Sequence, residues 1–212
     1  MKVFIVHAHP EPKSFNGALL DIAVKTFEEK GHEVRVSDLY QMNYNPVSDR
    51  KNFTTVKDGE YYKQQIEELH ATECGGFAKD VESEMQNLEW CDLLIFQFPL
   101  WWFGLPAILK GWVDRTLAMG RTYSRKILYD TGRFKGKRAF CSITTGGPAA
   151  TYSTGGSHGD LHSILRPINH GIFEFVGFEA LESHVVFGPA HLTDEQRKGE
   201  LDRYREKILS FS

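Results

Sequence analysis

The stretch that decides the fold is Leu93–Arg115, LLIFQFPLWWFGLPAILKGWVDR. Residues 93–98 form a nearly unbroken apolar run, which is typical of a strand buried on both faces of a parallel sheet. Pro99 ends this run. Pro106 then begins a second segment, Ala107–Thr116, whose apolar residues recur at the spacing of a helix. The order of strand, loop and helix predicts one unit of a parallel sheet with its covering helix.

The loop inside this stretch presents large, flat side chains at the carboxyl end of the predicted strand. In open parallel sheets that edge is where ligands bind, and a planar ligand would cover exposed aromatic rings. A second interpretation makes these side chains core or a subunit contact, and one loop can serve both purposes. The residues concerned are Leu100, Trp101, Trp102, Phe103 and Gly104.

Composition limits the possible functions. A chain of 212 residues predicts a single domain, 1–212, and its 41% hydrophobic and 25% charged residues are ordinary for a soluble globular protein. The net charge of −3 comes without a basic cluster, so neither nucleic acid nor an anionic membrane surface is an expected partner. Gln97, Pro99 and Gly104 interrupt the long apolar run, whereas a membrane-spanning helix needs roughly 20 apolar residues.

The start of the chain and its cysteines indicate a cytoplasmic protein. An apolar strand begins directly after Met1 and Lys2, which leaves no room for a signal peptide. The three cysteines, Cys74, Cys91 and Cys141, are odd in number and lack metal-like spacing. Reduced thiols in a cytoplasm therefore fit better than a disulfide framework.

Strands and helices alternate along the whole chain. This alternation predicts a parallel sheet covered on both faces, an α/β three-layer sandwich with right-handed crossovers. The expected order of its five strands is 2-1-3-4-5, the flavodoxin-like arrangement. Besides the pair described above, the predicted strands are Lys2–His7, Glu33–Asp38 (with Val34 and Val36 inward), Arg138–Thr144 and Ala180–Phe187, the predicted helices are Asn16–Lys30, Val81–Trp90, Ser163–Val176 and Asp194–Leu209, and residues 40–80 and 117–137 are long excursions.

The strand order brings three unusual loops to one crevice. In the first loop, Ser14 and Asn16 lie where a helix begins, and its unpaired N–H groups form an anion site suited to a phosphate. Capping of the helix by Ser14 is the simpler interpretation and is compatible with phosphate binding. His9 offers a further contact to a diphosphate, or is a solvated turn residue. The dinucleotide fingerprint G-x-G-x-x-G is absent after this strand.

The loop after the fourth strand, TTGGPAATYSTGGSHGD, is rich in glycine, so its backbone can approach a ligand closely. Residues 144–147 are expected to line the edge of a polar heterocycle. Tyr152 and His158 lie further along and can fold back over the same crevice. A lone histidine in a loop is usually only solvated, so His158 becomes a catalytic candidate only together with its neighbours.

Several segments together carry a family resemblance. SDLYQMNYNP, DLLIFQFPLWWFGLPAILKGWVDR, SITTGG, and YSTGGSHGD followed by LRPINHGIFEFVGF resemble the NAD(P)H:quinone oxidoreductase (DT-diaphorase) family of flavoproteins. The resemblance runs from the first strand to about Arg197. It implies a flavodoxin-like fold, a homodimer with active sites at its interface, and bound FAD rather than FMN, with NADH or NADPH as electron donor.

The resemblance also implies roles for individual residues. Tyr152 and His158 match the catalytic pair beside the pyrimidine edge of the flavin, and Trp101, Tyr123, Arg125 and Leu128 match the substrate slot. The expected FAD contacts are His9, Ser14, Phe15, Asn16 and Ala18 at the diphosphate, Pro99, Leu100, Trp101, Trp102, Phe103, Thr144, Thr145, Gly146 and Gly147 (with Tyr152) at the isoalloxazine, and Asp114 and Arg197 at the adenosine.

Some positions depart from the family pattern. Trp101 replaces a smaller polar residue, and Arg125 replaces a lid tyrosine. Asp114 stands in place of a glutamate. The expected C-terminal extension, which helps to hold the adenosine part of the nicotinamide cofactor, is absent after Ser212. Some relatives bind a metal near the segment matching residues 169–174, but Glu174 replaces the expected second ligand there, so no metal is predicted.

Three functions are compatible with these features. The resemblance favours reduction of a quinone by NAD(P)H through FAD, with hydride transfer in a ping-pong sequence. A flavodoxin-like electron carrier would need a strongly acidic docking surface, which a net charge of −3 does not indicate, and would have no use for Tyr152 and His158. A flavin-binding regulatory subunit of a membrane potassium-efflux system is the other alternative, and no sequence feature excludes it.

Overall fold

The central strand of the sheet is the apolar run at 93–99, and all seven of its residues are buried. The computed structural model describes residues 1–211. In chain order its elements are β1 (Lys2–His7), α1 (Phe15–Glu29), β2 (Glu33–Asp38), α2 (Gln64–Cys74), α3 (Lys79–Trp90), β3 (Leu93–Pro99), α4 (Ala107–Thr116), β4 (Arg138–Thr145), α5 (Leu161–Ile168), β5 (Glu179–Ala180), β6 (His184–Phe187) and α6 (Asp194–Leu209). Short 3-10 turns lie at Arg50–Asn52, Tyr129–Thr131, Ala149–Tyr152 and Pro189–His191, and a π-helix at Asn169–Glu174.

The sheet is parallel throughout, with the order β2-β1-β3-β4 and then β5 and β6 side by side on β4. Ile95 of β3 pairs with Ile5 of β1 on one side and with Phe140 of β4 on the other. The predicted α/β class and the strand order 2-1-3-4-5 are therefore confirmed.

Successive residues of the inner strands pack into different layers, because strand side chains alternate between the two faces. Ile95 belongs to the cluster beneath α1 and α6, whereas Phe96 belongs to the cluster beneath α3, α4 and α5. Phe96 meets the indole of Trp112 edge-on, with ring centroids 5.6 Å apart. The three layers of the sandwich follow from this alternation, and so does the near absence of polar residues in β3.

The predicted fifth strand at 180–187 is wrong as a continuous element. Ala180 pairs with Ala139 and His184 pairs with Ser142, so three residues on this strand face two residues on β4. One extra residue is a β-bulge, which interrupts the ladder and divides the strand into β5 and β6. Among residues 1–211 the sheet consequently has six strands rather than five.

Two further predictions differ from the structure. The helix expected at 163–176 begins at Leu161 and changes to a π-helix at Asn169, two residues after Pro167, which lacks the N–H needed for regular hydrogen bonding. Residues 40–80 contain α2, which the sequence pattern did not reveal because its polar residues give a weak periodicity.

The prediction that Val36 points inward is also wrong. Val36 is 40% exposed on the edge strand β2, and the buried residue is its neighbour Ser37. Ser37 donates to the Glu84 carboxylate at 2.9 Å, and the Trp112 indole donates to the other oxygen at 2.7 Å. Burial raises the pKa of Glu84. A polar contact between layers therefore determines which residue of this strand is inside.

Arg115 at the end of α4 holds the 40–80 segment against the sandwich. Its buried guanidinium donates to the Asn52 side chain at 2.7 Å and to the Asn45 carbonyl at 2.8 Å, and pairs with Asp80 at 2.8 Å. One turn earlier, Gly111 lets the same segment approach the helix backbone closely. No helix within residues 1–211 is both long and apolar enough to cross a membrane.

Replacement of Gly111 by alanine should destabilise the protein. The added methyl carbon would lie 2.2 Å from the backbone oxygen of Pro46, so either the helix or the segment must shift. We expect the free energy of unfolding to fall by about 1–3 kcal/mol in urea denaturation. Gly199→Ala is the matched control, because no atom lies within 4 Å of its added carbon and the helix gains about 0.5–1 kcal/mol. Equal stability of the two variants would contradict the close approach.

Candidate active site

The loops that follow β1, β3 and β4 meet at one edge of the sheet, as predicted from the strand order. The Ala8 amide donates to the Gln97 carbonyl at 2.9 Å, which joins the first loop to β3. The Leu100 amide donates to the Thr144 carbonyl at 2.8 Å, which joins the second loop to β4. The parallel ladders thus extend into the loops and fix their relative positions.

The first loop forms an anion site at the start of α1. The Ser14 hydroxyl caps the helix by accepting from the Gly17 amide at 3.1 Å. Within the described residues the amides of Phe15 and Asn16 have no acceptor, and both lie at the positive end of the helix dipole. A Cβ on Gly17 would lie 2.1 Å from the Pro12 carbonyl, so the loop closes tightly over the helix only with glycine there. Capping of the helix by Ser14 is therefore confirmed, and phosphate binding at the same helix start stays a prediction.

A cleft of about 580 Å³ opens beside this helix terminus. All five sequence-predicted diphosphate residues line it, together with Arg197 from α6. The cleft also includes residues that the sequence analysis did not predict. Two of them are next to predicted residues in the sequence, and this was the only sequence feature that could have indicated them. The lining residues are His9, Ser14, Phe15, Asn16, Ala18, Thr144 and Arg197 from the predicted set, and Lys13, Pro189, Ala190, Asp194, Lys198 and Leu201 in addition.

Arg197 shapes the wall of this cleft. Its guanidinium donates to the backbone carbonyls of Pro189 and Leu192 and to the carboxylate of Asp194. Most of its donors are therefore engaged in holding the turn between β6 and α6. Arg197 contributes positive charge to the cleft, and it positions the turn that closes one side of it.

A buried hydrogen-bond chain lies directly beneath the anion site. The Asn16 side-chain amide donates to the Thr144 hydroxyl at 2.7 Å, and its carbonyl accepts from the Gln97 side chain at 3.2 Å. The Tyr204 hydroxyl of α6 donates to the side-chain carbonyl oxygen of Gln97 at 3.4 Å. All four side chains are buried. The chain joins α1, β3, β4 and α6 at one point.

The aromatic loop after β3 contains a strained turn. The Gly104 amide donates to the Trp101 carbonyl at 3.0 Å, and the two residues between them, Trp102 and Phe103, have φ angles of 51° and 59°. Positive φ at both central positions is the type I′ pattern, which costs bulky residues about 1–2 kcal/mol each. The turn leaves the Trp102 side chain 96% exposed. Strain of this kind is concentrated at functional sites, where a ligand or partner uses the geometry.

Tyr152 and His158 fold back towards the aromatic loop. Their rings lie 5.0 Å apart, and the His158 ring meets Phe103 edge-on at 5.4 Å. Both side chains also approach Gly147, whose Cβ position lies 3.6 Å from the Tyr152 ring and 3.7 Å from His158 Nε2. Tyr152 is buried, whereas His158 is exposed. The structure thus brings the predicted pair together with Phe103 and the glycine loop.

Asp114 and Tyr123 lie elsewhere. They line a separate cleft of about 420 Å³ between α2, α4 and the π-helix, so the structure does not bring Asp114 to the cleft of Arg197 within one chain. Tyr123 accepts from the Gln65 side chain at 3.2 Å and packs on Phe175, with ring centroids 5.4 Å apart. The other predicted slot residues, Arg125 and Leu128, belong to the same excursion before β4, with Arg125 exposed and Leu128 half-buried.

The floor of this second cleft is a buried carboxyl group. Glu68 accepts from the Met119 amide at 2.7 Å and from the Gln64 side chain at 2.8 Å. Burial raises the pKa of Glu68. The Gln64 side chain also donates to the Asp114 carbonyl at 3.1 Å, so this carboxyl group fixes a side chain that faces the cleft.

The segment 169–174, for which no metal was predicted, holds a short contact between a histidine ring and a carboxylate. His170 Nδ1 lies 2.6 Å from a Glu174 carboxylate oxygen, and the Tyr129 ring stacks on the imidazole at 5.1 Å. Among residues 1–211, no three His, Cys, Asp or Glu side chains are arranged to hold a metal ion.

Comparison with known proteins decides the family. Residues 1–209 match the flavodoxin-like fold family. Rat NAD(P)H dehydrogenase [quinone] 1 is 43% identical over 208 residues, which cover 98% of this chain and 76% of the relative. The chain belongs to the NAD(P)H:quinone oxidoreductase family. Human ribosyldihydronicotinamide dehydrogenase [quinone] is 41% identical, with 99% and 91% of the two chains covered.

A solved structure of a related protein has the same fold as this chain. A Klebsiella pneumoniae protein, provisionally named as a quinone reductase, superimposes with a TM-score of 0.93 at 37% identity. The superposition covers 100% of this chain and 85% of that one. The resemblance predicted from the sequence motifs is thereby confirmed.

The residues at the sheet edge fit the flavin that members of the NAD(P)H:quinone oxidoreductase family were expected to bind. Two free amides and nearby cations suit a phosphate, and the exposed faces of Trp101–Phe103 suit a planar ring system. No atom lies within 4 Å of a Cβ position on Gly146, so space is open directly against the backbone there.

Removal of the Asn16 side chain should destabilise the sheet edge. Asn16→Ala leaves the buried Gln97 side-chain amide and the buried Thr144 hydroxyl without the partner that Asn16 supplies, which costs about 1–3 kcal/mol. Urea denaturation of flavin-free protein measures this decrease in stability. Gln86→Ala, which removes an exposed amide from α3, is the control and should change stability by less than about 0.5 kcal/mol. The proposed importance of the buried chain would be refuted if both variants were equally stable.

Proposed function

We propose that this chain is an FAD-dependent oxidoreductase that reduces quinones, or related acceptors, with NADH or NADPH in a two-electron, ping-pong reaction. The observation that carries the proposal is the convergence of three features at one sheet edge. They are the free amides of α1, the aromatic turn at Trp101–Gly104 and the Tyr152–His158 pair. The identity of 43% to a quinone dehydrogenase supports the reaction class.

When bound, FAD supplies the redox chemistry, by taking a hydride from NAD(P)H and passing two electrons to a quinone in the same slot. The protein supplies binding, orientation and charge. The amides of Phe15 and Asn16 bind the diphosphate, and Arg197 supports the opposite wall. The aromatic turn and the loop at 144–147 orient the ring system.

Tyr152 and His158 meet the charge that develops during the reaction. A tyrosine hydroxyl donates a hydrogen bond to negative charge at the pyrimidine edge of the ring. The His158 imidazole can hold or release a proton during the reaction. The contacts of the His158 ring with Tyr152 and Phe103 support this role. Groups of this kind affect rate more than ground-state binding.

The proposed active unit is a homodimer. Trp101, Trp102 and Phe103 are 41%, 96% and 49% exposed, which makes an apolar patch of the type that a partner covers. Asp114 and Tyr123, which are distant from the anion cleft in one chain, are then available to the site of the second chain, as the family resemblance implies.

Light scattering at micromolar concentration tests the homodimer. We expect a mass of twice the 24.2 kDa chain. Dilution to nanomolar concentration should expose the aromatic turn and increase the solvent quenching of tryptophan fluorescence. A monomeric mass at micromolar concentration would exclude a shared active site.

The double variant Tyr152→Phe/His158→Gln tests the reaction mechanism. Both substitutions preserve side-chain size but remove a hydrogen-bond donor and a proton carrier. Reduction of the flavin by NAD(P)H should therefore become about ten- to a hundredfold slower for each of the two groups removed. Stopped-flow absorbance on flavin-saturated protein measures this rate, and flavin occupancy should stay near that of wild type.

The control variant is Tyr129→Phe/His162→Gln, which makes the same chemical changes at exposed positions and should react at the wild-type rate. Two outcomes would count against the proposal. A wild-type rate in the Tyr152/His158 variant would remove both residues from the mechanism. A parallel fall in flavin occupancy would mean that the pair only orders the glycine loop.

A further inference from the structure

We infer that Lys13 and Lys198 form a cation pair that binds the outer phosphate of a flavin dinucleotide, and that the pair thereby selects the dinucleotide over the mononucleotide. The inference rests on the proposed function, because it concerns the same cleft. It assigns a role to two residues outside the set that the sequence motifs predicted.

The two lysines lie on different walls of one cleft. Lys13 comes directly before the helix cap Ser14, and Lys198 follows Arg197 in the first turns of α6. Both are exposed and both line the cleft of about 580 Å³ that holds the free amides of α1. Their long, flexible side chains can therefore reach a ligand between the two helices.

Neither lysine side chain has a hydrogen-bond or ion-pair partner in the described part of the chain. Over residues 1–211 no carboxylate lies within 4.0 Å of either ammonium group, whereas Lys25, Lys110 and Lys207 each have such a partner. The cleft contains one carboxylate, Asp194, and Arg197 already pairs with it. The cleft therefore carries excess positive charge in a chain whose net charge is −3. A local excess of this kind indicates an anionic ligand.

The donors of the cleft divide naturally between two phosphates. The amides of Phe15 and Asn16 can satisfy one phosphate at the start of α1. A second phosphate would need further donors from the walls of the cleft. The guanidinium of Arg197 is largely occupied by Pro189, Leu192 and Asp194. Besides the His9 ring, the free ammonium groups of Lys13 and Lys198 are the donors that remain on the two walls.

The test compares flavin affinities of Lys13→Gln/Lys198→Gln and wild type. Flavin-free protein is titrated with FAD and with FMN, and the quenching of flavin fluorescence gives each dissociation constant. The titrations are repeated from about 0.05 to 0.5 M salt, because exposed charge pairs weaken with ionic strength. Lys30→Gln/Lys79→Gln is the control, since it removes the same charge from exposed positions outside the cleft.

We expect FAD binding to weaken about three- to fivefold for each lysine removed, hence about tenfold or more in the double variant. FMN binding should change by less than about twofold, and the salt dependence of FAD binding should become shallower. The control variant should bind both flavins as wild type does.

Three results would overturn the inference. FAD affinity of the cleft variant within about twofold of wild type would show that the lysines do not contact the ligand. Equal weakening of FAD binding and FMN binding would show that the lysines act through the general electrostatic field of the cleft rather than by contact with a second phosphate. Wild-type protein that binds no FAD, or prefers FMN, would refute the proposed cofactor as well, which separates failure of the function from failure of the lysine pair.

Discussion

The candidate site depends on one buried side chain, Asn16. Its amide contacts Thr144 at 2.7 Å and its carbonyl contacts Gln97 at 3.2 Å, so the first turn of α1 is fixed to both central strands. Because all three side chains are buried, loss of one partner leaves a buried polar group unpaired, and the geometry is strongly specified. The free amides of Phe15 and Asn16 consequently face the same edge as the aromatic turn and the glycine loop.

The rest of the site is built on this fixed edge. The apolar strands β1, β3 and β4 supply rigidity, and their loops carry the chemistry, which is the usual division in open parallel sheets. The left-handed backbone at Trp102 and Phe103 persists only because both ends of the turn are anchored, by Leu100 to Thr144 and by Gly104 to Trp101. Strained, exposed aromatic residues beside a cationic cleft are difficult to explain by folding stability alone, and a flavin accounts for both.

Much of this arrangement could be predicted from the sequence, because it depends on local patterns. The apolar run at 93–98, the helix after Pro106 and the three loops follow from periodicity and strand order. Features set by tertiary contacts could not be predicted. Ser37 is buried instead of Val36, because the Glu84 carboxylate lies opposite Ser37. One extra residue before His184 divides the last strand into two. Asp114 and Arg197 line separate clefts, and Lys13 and Lys198 have no ion-pair partner within residues 1–211. Both features depend on distances between elements far apart in the chain.

The central claim is that this sheet edge holds FAD and passes two electrons from a nicotinamide to a quinone. Anaerobic half-reactions test it most directly, with the flavin absorbance followed on purified holoprotein and the released flavin identified by chromatography. The account predicts that the flavin is FAD, that NADH or NADPH bleaches it, and that one equivalent of quinone restores the spectrum in a single step after the nucleotide has been removed. Failure of either nucleotide to bleach the flavin, or reoxidation in separate one-electron steps, would contradict it.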